Sequence, residues 1–329
     1  MIHHLLCPWM SFPLRELSAP APARSRALIW ARANDAEGIR RRRALRRVDW
    51  ELEKGNYKAA LSLVKQLQGK PGGLRGFAAA QLVPKRVVEL DGLNMNLLDT
   101  TSLERLVDSI MRSIKCSIEF ASLDEEASIL AMENSVDTDS SEASSSALED
   151  HQICIQHEAG HFLVGYLVGV LPYRYKVPSV EDLIQDKFAP GNVEFCGFDF
   201  LRKVGASTVS CKKLTKRKQM VEVNTNKVSS KALNRFLCVT LGGLVAEYLE
   251  FGYSELLHSD VEKLDKVLKW LYFREDDADL HLRWAALNSL VMLIGYGEAR
   301  LRLAEAMSLG RSVGCCIDTI ETTLDHLNR

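Results

Sequence analysis

Apolar side chains recur at three- and four-residue steps along much of this 329-residue chain. That spacing places them on one face of an α-helix. The stripes predict a helix over residues 101–117, a longer one from Ser230 to Phe251 that ends at a capping Gly252, and two further amphipathic helices over residues 280–293 and 299–309. The pattern therefore predicts a mainly α fold.

A second helical pattern runs from residue 48 to residue 68 and is interrupted at Gly55-Asn56, as a tight turn between two helices would interrupt it. This stretch resembles the turn of one tetratricopeptide-type hairpin. One such unit cannot bury its own apolar face, and no second copy follows, so we do not expect a solenoid. The pattern predicts a small accessory helical domain over residues 48–135.

An acidic, serine-rich segment follows this region. Residues 137–146 contain no large apolar side chain, and such a segment cannot bury enough surface to offset the entropy of ordering. We therefore expect a flexible linker over residues 136–149 and a second domain over residues 150–329. Ser146 and Glu149 have the spacing of a capping box, which predicts that a helix begins there.

The amino-terminal segment is rich in arginine and poor in acid. Its first 34 residues contain four arginines and one acid, without a compact hydrophobic stretch. This composition predicts an organelle transit peptide within residues 1–47, for the chloroplast or, as the alternative, the mitochondrion. Residues 40–47 hold six arginines in eight positions, which we interpret as a solvated, basic helix start just past a cleavage site.

Composition narrows the class of protein further. The chain has 42 basic and 43 acidic residues, a net charge of −1, which argues against a nucleic-acid binder held by overall basicity. The longest apolar runs reach only half of the roughly 18 residues that a transmembrane helix needs, so no membrane span is expected. The eight cysteines have no framework spacing, which is typical of free thiols in a reducing compartment.

One motif indicates chemistry. His157, Glu158 and His161 form an H-E-x-x-H sequence within a predicted helix. Residues four apart project from the same helix face, so both imidazoles can bind one Zn²⁺, while Glu158 lies beside the metal as a general base. Gly160 lies inside this helix, where glycine costs roughly 1 kcal/mol relative to alanine. We expect the close approach of another backbone or of the metal site to explain it.

A catalytic zinc needs a third protein ligand, and the sequence offers three candidates downstream. Glu247 follows the Gly242-Gly243 pair, which would let a neighbouring helix approach closely. Asp260 comes in the first turn of a helix that we predict to begin at a second capping box, Ser259 to Glu262. His258 precedes it and is interpreted as a loop histidine. The residues alone leave Glu247 and Asp260 open.

The ordered set of motifs resembles the peptidase domain of FtsH-type ATP-dependent zinc metalloproteases. The resemblance covers roughly residues 150–272 and implies a helical zincin-like fold. It implies that His157, His161 and Asp260 bind zinc and that Glu158 is the catalytic base. The family also has an ATPase module, but this sequence contains no G-x-x-x-x-G-K-[ST] phosphate loop. Any ATP dependence would therefore come from a partner.

These observations support a zinc metalloendopeptidase that hydrolyses protein or peptide substrates. The sequence leaves open an ATPase-bearing or homo-oligomeric partner, and a nucleic-acid partner is not expected. The alternative is a non-catalytic scaffold or adaptor that keeps the peptidase fold in an organellar protease complex. An intact Glu158 argues against the scaffold, because a scaffold needs neither the base nor the ligands.

Overall fold

The structure is a computed structural model, and it describes residues 23–84, 100–127, 140–186, 189–205 and 228–327. Side chains within residues 23–36, at residue 100, within 121–127 and 140–145, and at residue 327 are outside that description. The proposed transit peptide up to residue 22 and the part of the proposed linker over residues 136–139 also lie outside the described residues.

The protein is mainly α-helical, as the apolar stripes predict. In chain order the main elements are α1 (Ala23–Glu53), α2 (Tyr57–Leu67), α3 (Thr100–Ala127), α4 (Ser140–Leu167), β1 (Pro172–Lys176), α5 (Val180–Gln185), β2 (Asn192–Phe195), α6 (Ser230–Phe251), α7 (Leu257–Trp270), α8 (Glu275–Gly295), α9 (Gly297–Ser308) and α10 (Val313–Leu327). The two strands pair antiparallel.

The centre of the fold is the pair α4 and α6, which pack against each other along their length. Helix α8 covers α6, α9 covers α4, and α10 connects α9 to α1. Because α6 is enclosed in this way, its residues from Phe236 to Glu247 are all buried. Among the described helices α6 is the one long and apolar enough to cross a membrane by length and composition, but 72% of its apolar window is buried inside the protein.

The ends of α6 follow from local sequence and confirm the predicted bounds. The Ser229 side chain accepts a hydrogen bond from the backbone N–H of Ala232 at 3.2 Å, which caps the first turn. Gly252 ends the helix at a φ of 82°, a left-handed conformation that glycine adopts without a Cβ penalty. Both ends of this core helix are therefore fixed by residues of the local sequence.

Helix α4 begins earlier than the sequence pattern predicts. Residues 140–149 belong to the helix rather than to a linker, and the helix does not begin at Ser146. Alanine and glutamate favour helix even without large apolar side chains, and Ala147 is buried against Leu183 of α5. The linker prediction was wrong over residues 140–149 because one small apolar side chain is enough to dock this turn.

Helices α1 and α2 form the predicted hairpin, whose turn includes Gly55 at a φ of 75°. The likeness to a tetratricopeptide unit stays a prediction. The arginine run is not a helix start, because α1 begins upstream at Ala23. Arg41 is buried, and its guanidinium binds Asp318 at 2.7 Å and Asp325 at 2.8 Å. A cleavage site as late as residue 47 would remove these contacts.

A single hydrophobic cluster includes residues of both proposed domains. Leu45 and Val48 of α1 and Val107 and Ile110 of α3 lie in it together with Leu163 of α4. The domain bounds stay a prediction, but the described parts of residues 48–135 and 150–329 share one core. The stripe predicted over residues 101–117 is therefore core packing.

Candidate metal centre

Two histidines on α4 form the first half of the site. His157 and His161 are one helical turn apart, both are buried, and their Nε2 atoms lie 2.9 Å apart. Their rings meet edge to face with centroids 4.5 Å apart. The i, i+4 spacing thus does what the motif predicts, since it aims both inner nitrogens at one point.

Asp260 of α7 completes the cluster. Its Oδ2 lies 3.1 Å from His157 Nε2 and 2.8 Å from His161 Nε2. One ligand atom from each of these three buried residues falls within 4.8 Å of the other two. Lys263, one turn further along α7, donates to the other carboxylate oxygen of Asp260 at 3.0 Å. The structure therefore brings together the three residues that the family resemblance implies as ligands.

The outer ring nitrogens are held as well. His161 Nδ1 lies 2.7 Å from the carbonyl oxygen of Val239, and His157 Nδ1 lies 2.5 Å from Oε1 of Glu247. A carbonyl and a carboxylate can only accept hydrogen bonds, so each Nδ1 bears the proton that it donates. For a neutral ring this leaves the Nε2 lone pair directed into the cluster, which is the tautomer that binds metal through Nε2.

Glu247 is thus a hydrogen-bond partner of His157 rather than a member of the cluster. It is fully buried on α6, and besides His157 it accepts hydrogen bonds from the Ser254 hydroxyl at 3.0 Å and the backbone N–H of Glu255 at 2.7 Å. Its carboxylate lies on the outer side of the His157 ring, so this geometry favours Asp260 over Glu247 as the third ligand. His258 is exposed and bonds the Ser117 hydroxyl at 2.8 Å, as expected of a histidine outside the ligand set.

The cluster fits a divalent metal by its chemistry. Two Nε2 lone pairs and a carboxylate oxygen converge, and these three electron-pair donors repel one another unless a positive charge lies among them. Ligands of tetrahedral zinc at roughly 2.0–2.2 Å from the metal lie about 3.3 Å from each other. The three separations of 2.9, 3.1 and 2.8 Å are within a few tenths of an ångström of that value.

The pKa shifts of His157 and Asp260 also indicate that the cluster is stabilised by positive charge. Burial lowers the pKa of His157, but its hydrogen bonds with Asp260 and Glu247 outweigh that effect and raise the pKa to about 10. Burial raises the pKa of Asp260, yet the charge of His161 and hydrogen bonds with both imidazoles hold it well below the ordinary value. A proton on His157 or a bound metal ion can satisfy the cluster.

Glu158 lies next to the ligands, and burial raises its carboxyl pKa. The side chain is buried, and in the part of the chain that the structure describes its Oε2 has no hydrogen-bond partner. Gly191, just before β2, packs so closely that a Cβ at that position would lie 2.5 Å from Glu158 Oε1. Glu158 lines the same cleft as the three cluster residues, so its unpaired oxygen is an acceptor available for a proton there.

Glycines make the arrangement possible. A Cβ on Gly160 would lie 2.3 Å from the carbonyl oxygen of Gly242, so α4 and α6 meet backbone to backbone, as expected from the sequence. A Cβ on Gly243 would lie 2.6 Å from Nε2 of both His157 and His161. The Gly-Gly pair therefore serves two purposes, because one glycine admits the neighbouring helix and the other admits the imidazoles.

The cluster opens into a cleft of about 550 Å³. Its walls include the cluster residues, the strand β2 with its flanking residues, and, from the accessory hairpin, Tyr57, Lys58 and Leu61 of α2. The Tyr57 ring packs against Tyr173 of β1, tilted by 38° with the ring centroids 4.4 Å apart. The contribution of α2 and β2 was missed from the sequence, since neither segment contains a metal-binding or catalytic motif.

Two further sequence predictions concern the surroundings of the site. The capping box predicted at Ser259 is absent, because α7 already begins at Leu257 and no side chain caps it. Asp260 nevertheless lies in the first turn, as predicted. The six cysteines within the described residues are free thiols, as the spacing predicts.

No protein-family model matches the chain, and neither a curated protein sequence nor a solved structure does. The likeness to FtsH-type peptidases accordingly depends on the motifs quoted above and on the geometry of this cluster.

Proposed function

We propose that this protein is a zinc metalloendopeptidase of the FtsH type with a helical zincin-like fold. His157, His161 and Asp260 bind the zinc, and Glu158 is the catalytic base. The observation that supports this assignment is the convergence of three buried ligand atoms within 4.8 Å beside an unpaired carboxylate oxygen. Any one of these residues is common, but buried together in a cleft they are a donor set suited to zinc.

The zinc would act as a Lewis acid on the scissile carbonyl and lower the pKa of a water towards about 7. Glu158 accepts the proton of the attacking water through its free Oε2 and passes it to the leaving amine. Glu247 and the Val239 carbonyl fix the orientation of the two imidazoles through their Nδ1 atoms. Lys263 holds the second oxygen of Asp260.

Protein or peptide segments are the proposed substrates. The cleft has room for an extended stretch of chain, and its walls offer both aromatic rings, such as Tyr173 and Phe198, and charged groups, such as Lys58. With no phosphate loop in this sequence, we propose that any ATP-driven unfolding comes from a partner and that the chain alone cleaves flexible substrates. We place this activity in the chloroplast, with the mitochondrion as the alternative, on the arginine-rich amino terminus.

Metal analysis and proteolysis of the full chain test the proposal. We expect about one zinc per chain and hydrolysis of casein. Glu158→Gln should retain zinc and lose hydrolysis, because the amide cannot accept the proton. Glu149→Gln on the same helix is the matched control, since Glu149 is exposed and should have no effect on either measurement.

Two outcomes would contradict the proposal. A protein that binds no zinc at neutral pH would contradict the metal centre. A protein that binds zinc and cleaves neither casein nor short peptides would support the non-catalytic scaffold instead.

A further inference from the structure

One face of α1 concentrates positive charge that the proposed peptidase activity does not use. We call it the arginine face, and it consists of Ile39, Arg40, Arg43, Arg46, Arg47 and Trp50, all of them exposed. At 100° per residue these positions fall within an arc of about 120° and extend about 17 Å along the helix. The face is therefore a continuous basic strip with a large apolar side chain at each end.

The opposite side of α1 fixes the orientation of this strip. Arg41 lies within the same run of arginines but points inward, where it bonds Asp318, Asp325 and Thr322 of α10. Leu45 and Val48 are buried in the main core. The arginine face is thus presented by a helix that is anchored to the folded protein by apolar contacts and buried ion pairs.

Charge on the arginine face is not neutralised by the protein. Among the residues that the structure describes, Arg40, Arg43, Arg46 and Arg47 form no ion pair, although Arg41 in the same run forms two. Among the described side chains of α1 the exposed acid is Glu53, at the carboxyl end, and the half-buried Glu51 already accepts a hydrogen bond from Asn56. The chain as a whole has a net charge of −1, so these four unpaired arginines concentrate positive charge on one part of its surface. A partner that complements this charge has a densely anionic surface.

We propose that the arginine face binds the surface of an anionic lipid membrane. Ile39 and Trp50 are 49% and 57% exposed, and tryptophan favours the headgroup region of a bilayer, where its ring meets both apolar and polar surroundings. Lys54 lies over the Trp50 ring, 4.3 Å from its centroid, and adds a further cation at that end. Basic residues on a helix that also exposes apolar side chains form a surface-binding element for anionic headgroups.

Nucleic acid is the less suitable partner for this face. Arginine binds the phosphates of nucleic acid as well as those of lipid headgroups, so the distinction depends on the apolar side chains at the two ends of the face. Its two large apolar side chains gain more from the boundary of a bilayer than from a phosphate backbone. The proposal is independent of the peptidase activity, since the arginine face lies outside the residues that line the candidate cleft.

Vesicle co-sedimentation of the full chain tests the proposal. We expect binding to vesicles of phosphatidylcholine with about 30 mol% phosphatidylserine, little binding to phosphatidylcholine alone, and release at about 0.5 M salt. Each basic residue near such a surface strengthens binding about fivefold, so Arg40→Glu/Arg47→Glu should weaken it by about 25-fold or more.

The matched control is Arg105→Glu/Arg112→Glu on α3, where two exposed arginines are also seven positions apart. This variant changes the net charge by the same amount and should bind within about twofold of the unmodified protein. Thermal unfolding of both double variants verifies that they fold. Equal binding to neutral vesicles, or equal loss in both variants, would overturn the proposal. A duplex RNA that binds the arginine face while vesicles do not would replace the lipid by nucleic acid.

Discussion

Gly160→Ala is the sharpest test of the helix contact beneath the metal centre. The added Cβ would lie 2.3 Å from the Gly242 carbonyl oxygen and 2.6 Å from Cβ of Ala246, whereas ordinary contacts begin at 3.4 Å. Neither neighbour can rotate away, since one is backbone and the other is a Cβ atom. Helices α4 and α6 must therefore separate by about 1 Å.

The size of the effect follows from two opposing contributions. Alanine favours the helix by about 1 kcal/mol over glycine, while overpacking a core costs about 1–3 kcal/mol and occasionally more. Because the clash involves rigid atoms, we expect an overpacking cost of about 3 kcal/mol, at the upper end of that range. The free energy of unfolding should therefore decrease by about 2 kcal/mol in total. In a folded unit of this size such a loss lowers the melting temperature by about 4–8 °C.

We expect Gly160→Ala to reduce the zinc content of the protein more than it reduces thermal stability. Metal–ligand distances in genuine sites agree with standard values to about 0.2 Å. A shift of about 1 Å between α4 and α6 would therefore disturb the ring of His161 and its support at the Val239 carbonyl. Melting followed by circular dichroism and zinc content by mass spectrometry measure the two effects. Gly295→Ala is the control, because a Cβ at that position meets nothing within 4 Å. If Gly160→Ala melts as high as Gly295→Ala and keeps its zinc, α4 and α6 accommodate the added methyl group without separating, which contradicts the tight contact.

Three further predictions concern other contacts. Asp260→Ala should lower zinc affinity by orders of magnitude and Glu247→Gln by about 10–100-fold, as measured by dialysis against zinc; the reverse order would contradict the ligand assignment. Burial raises the pKa of Glu321 above its ordinary 4.5, so its protonated form is favoured in the folded state and stability falls as the pH rises above about 4.5. The free energy of unfolding, measured with urea from about pH 4 to about pH 7, should fall less in Glu321→Gln than in the unmodified protein. An equal fall in both proteins would refute this prediction. Arg41→Ala leaves two acceptor carboxylates without their cation and should cost about 2–3 kcal/mol, since the partners are partly exposed. The exposed Arg43→Ala should change stability by less than about 0.5 kcal/mol in the same melting experiment, and equal losses would contradict the role of Arg41.

Local chemistry determined which helices could be predicted from the sequence. The bounds of α6 were predictable because Ser229 and Gly252 cap it and its apolar residues repeat without a break. The start of α4 at Ser140 was not, because its first turns contain only small or charged side chains, and one of them, Ala147, is buried by α5, a contact between separate segments. The burial of Arg41 could not be predicted either, because its partners Asp318 and Asp325 are on α10, far away in the sequence.

The site was partly predictable for a similar reason. His157, Glu158 and His161 are one turn of one helix, so their spacing alone places them together. Whether Asp260 or Glu247 joins the two histidines in the cluster depends on how α6 and α7 cross α4, which no local pattern encodes. The structure places Glu247 on the outer ring nitrogen and Asp260 on the inner ones, and this distinction needed the three-dimensional contacts.

The pairing of α1 with α10 has a consequence for synthesis on the ribosome. Arg41 and Asp325 are 284 positions apart, so α1 emerges long before its partner exists. At about 5–20 residues per second the interval is about 14–57 seconds. Throughout that time Leu45 and Val48, which are buried in the finished core, have no carboxyl-terminal surface to cover them. The nascent chain therefore presents an amphipathic, strongly basic helix to chaperones throughout this interval, and α1 obtains its contacts with α10 only after α10 has been released.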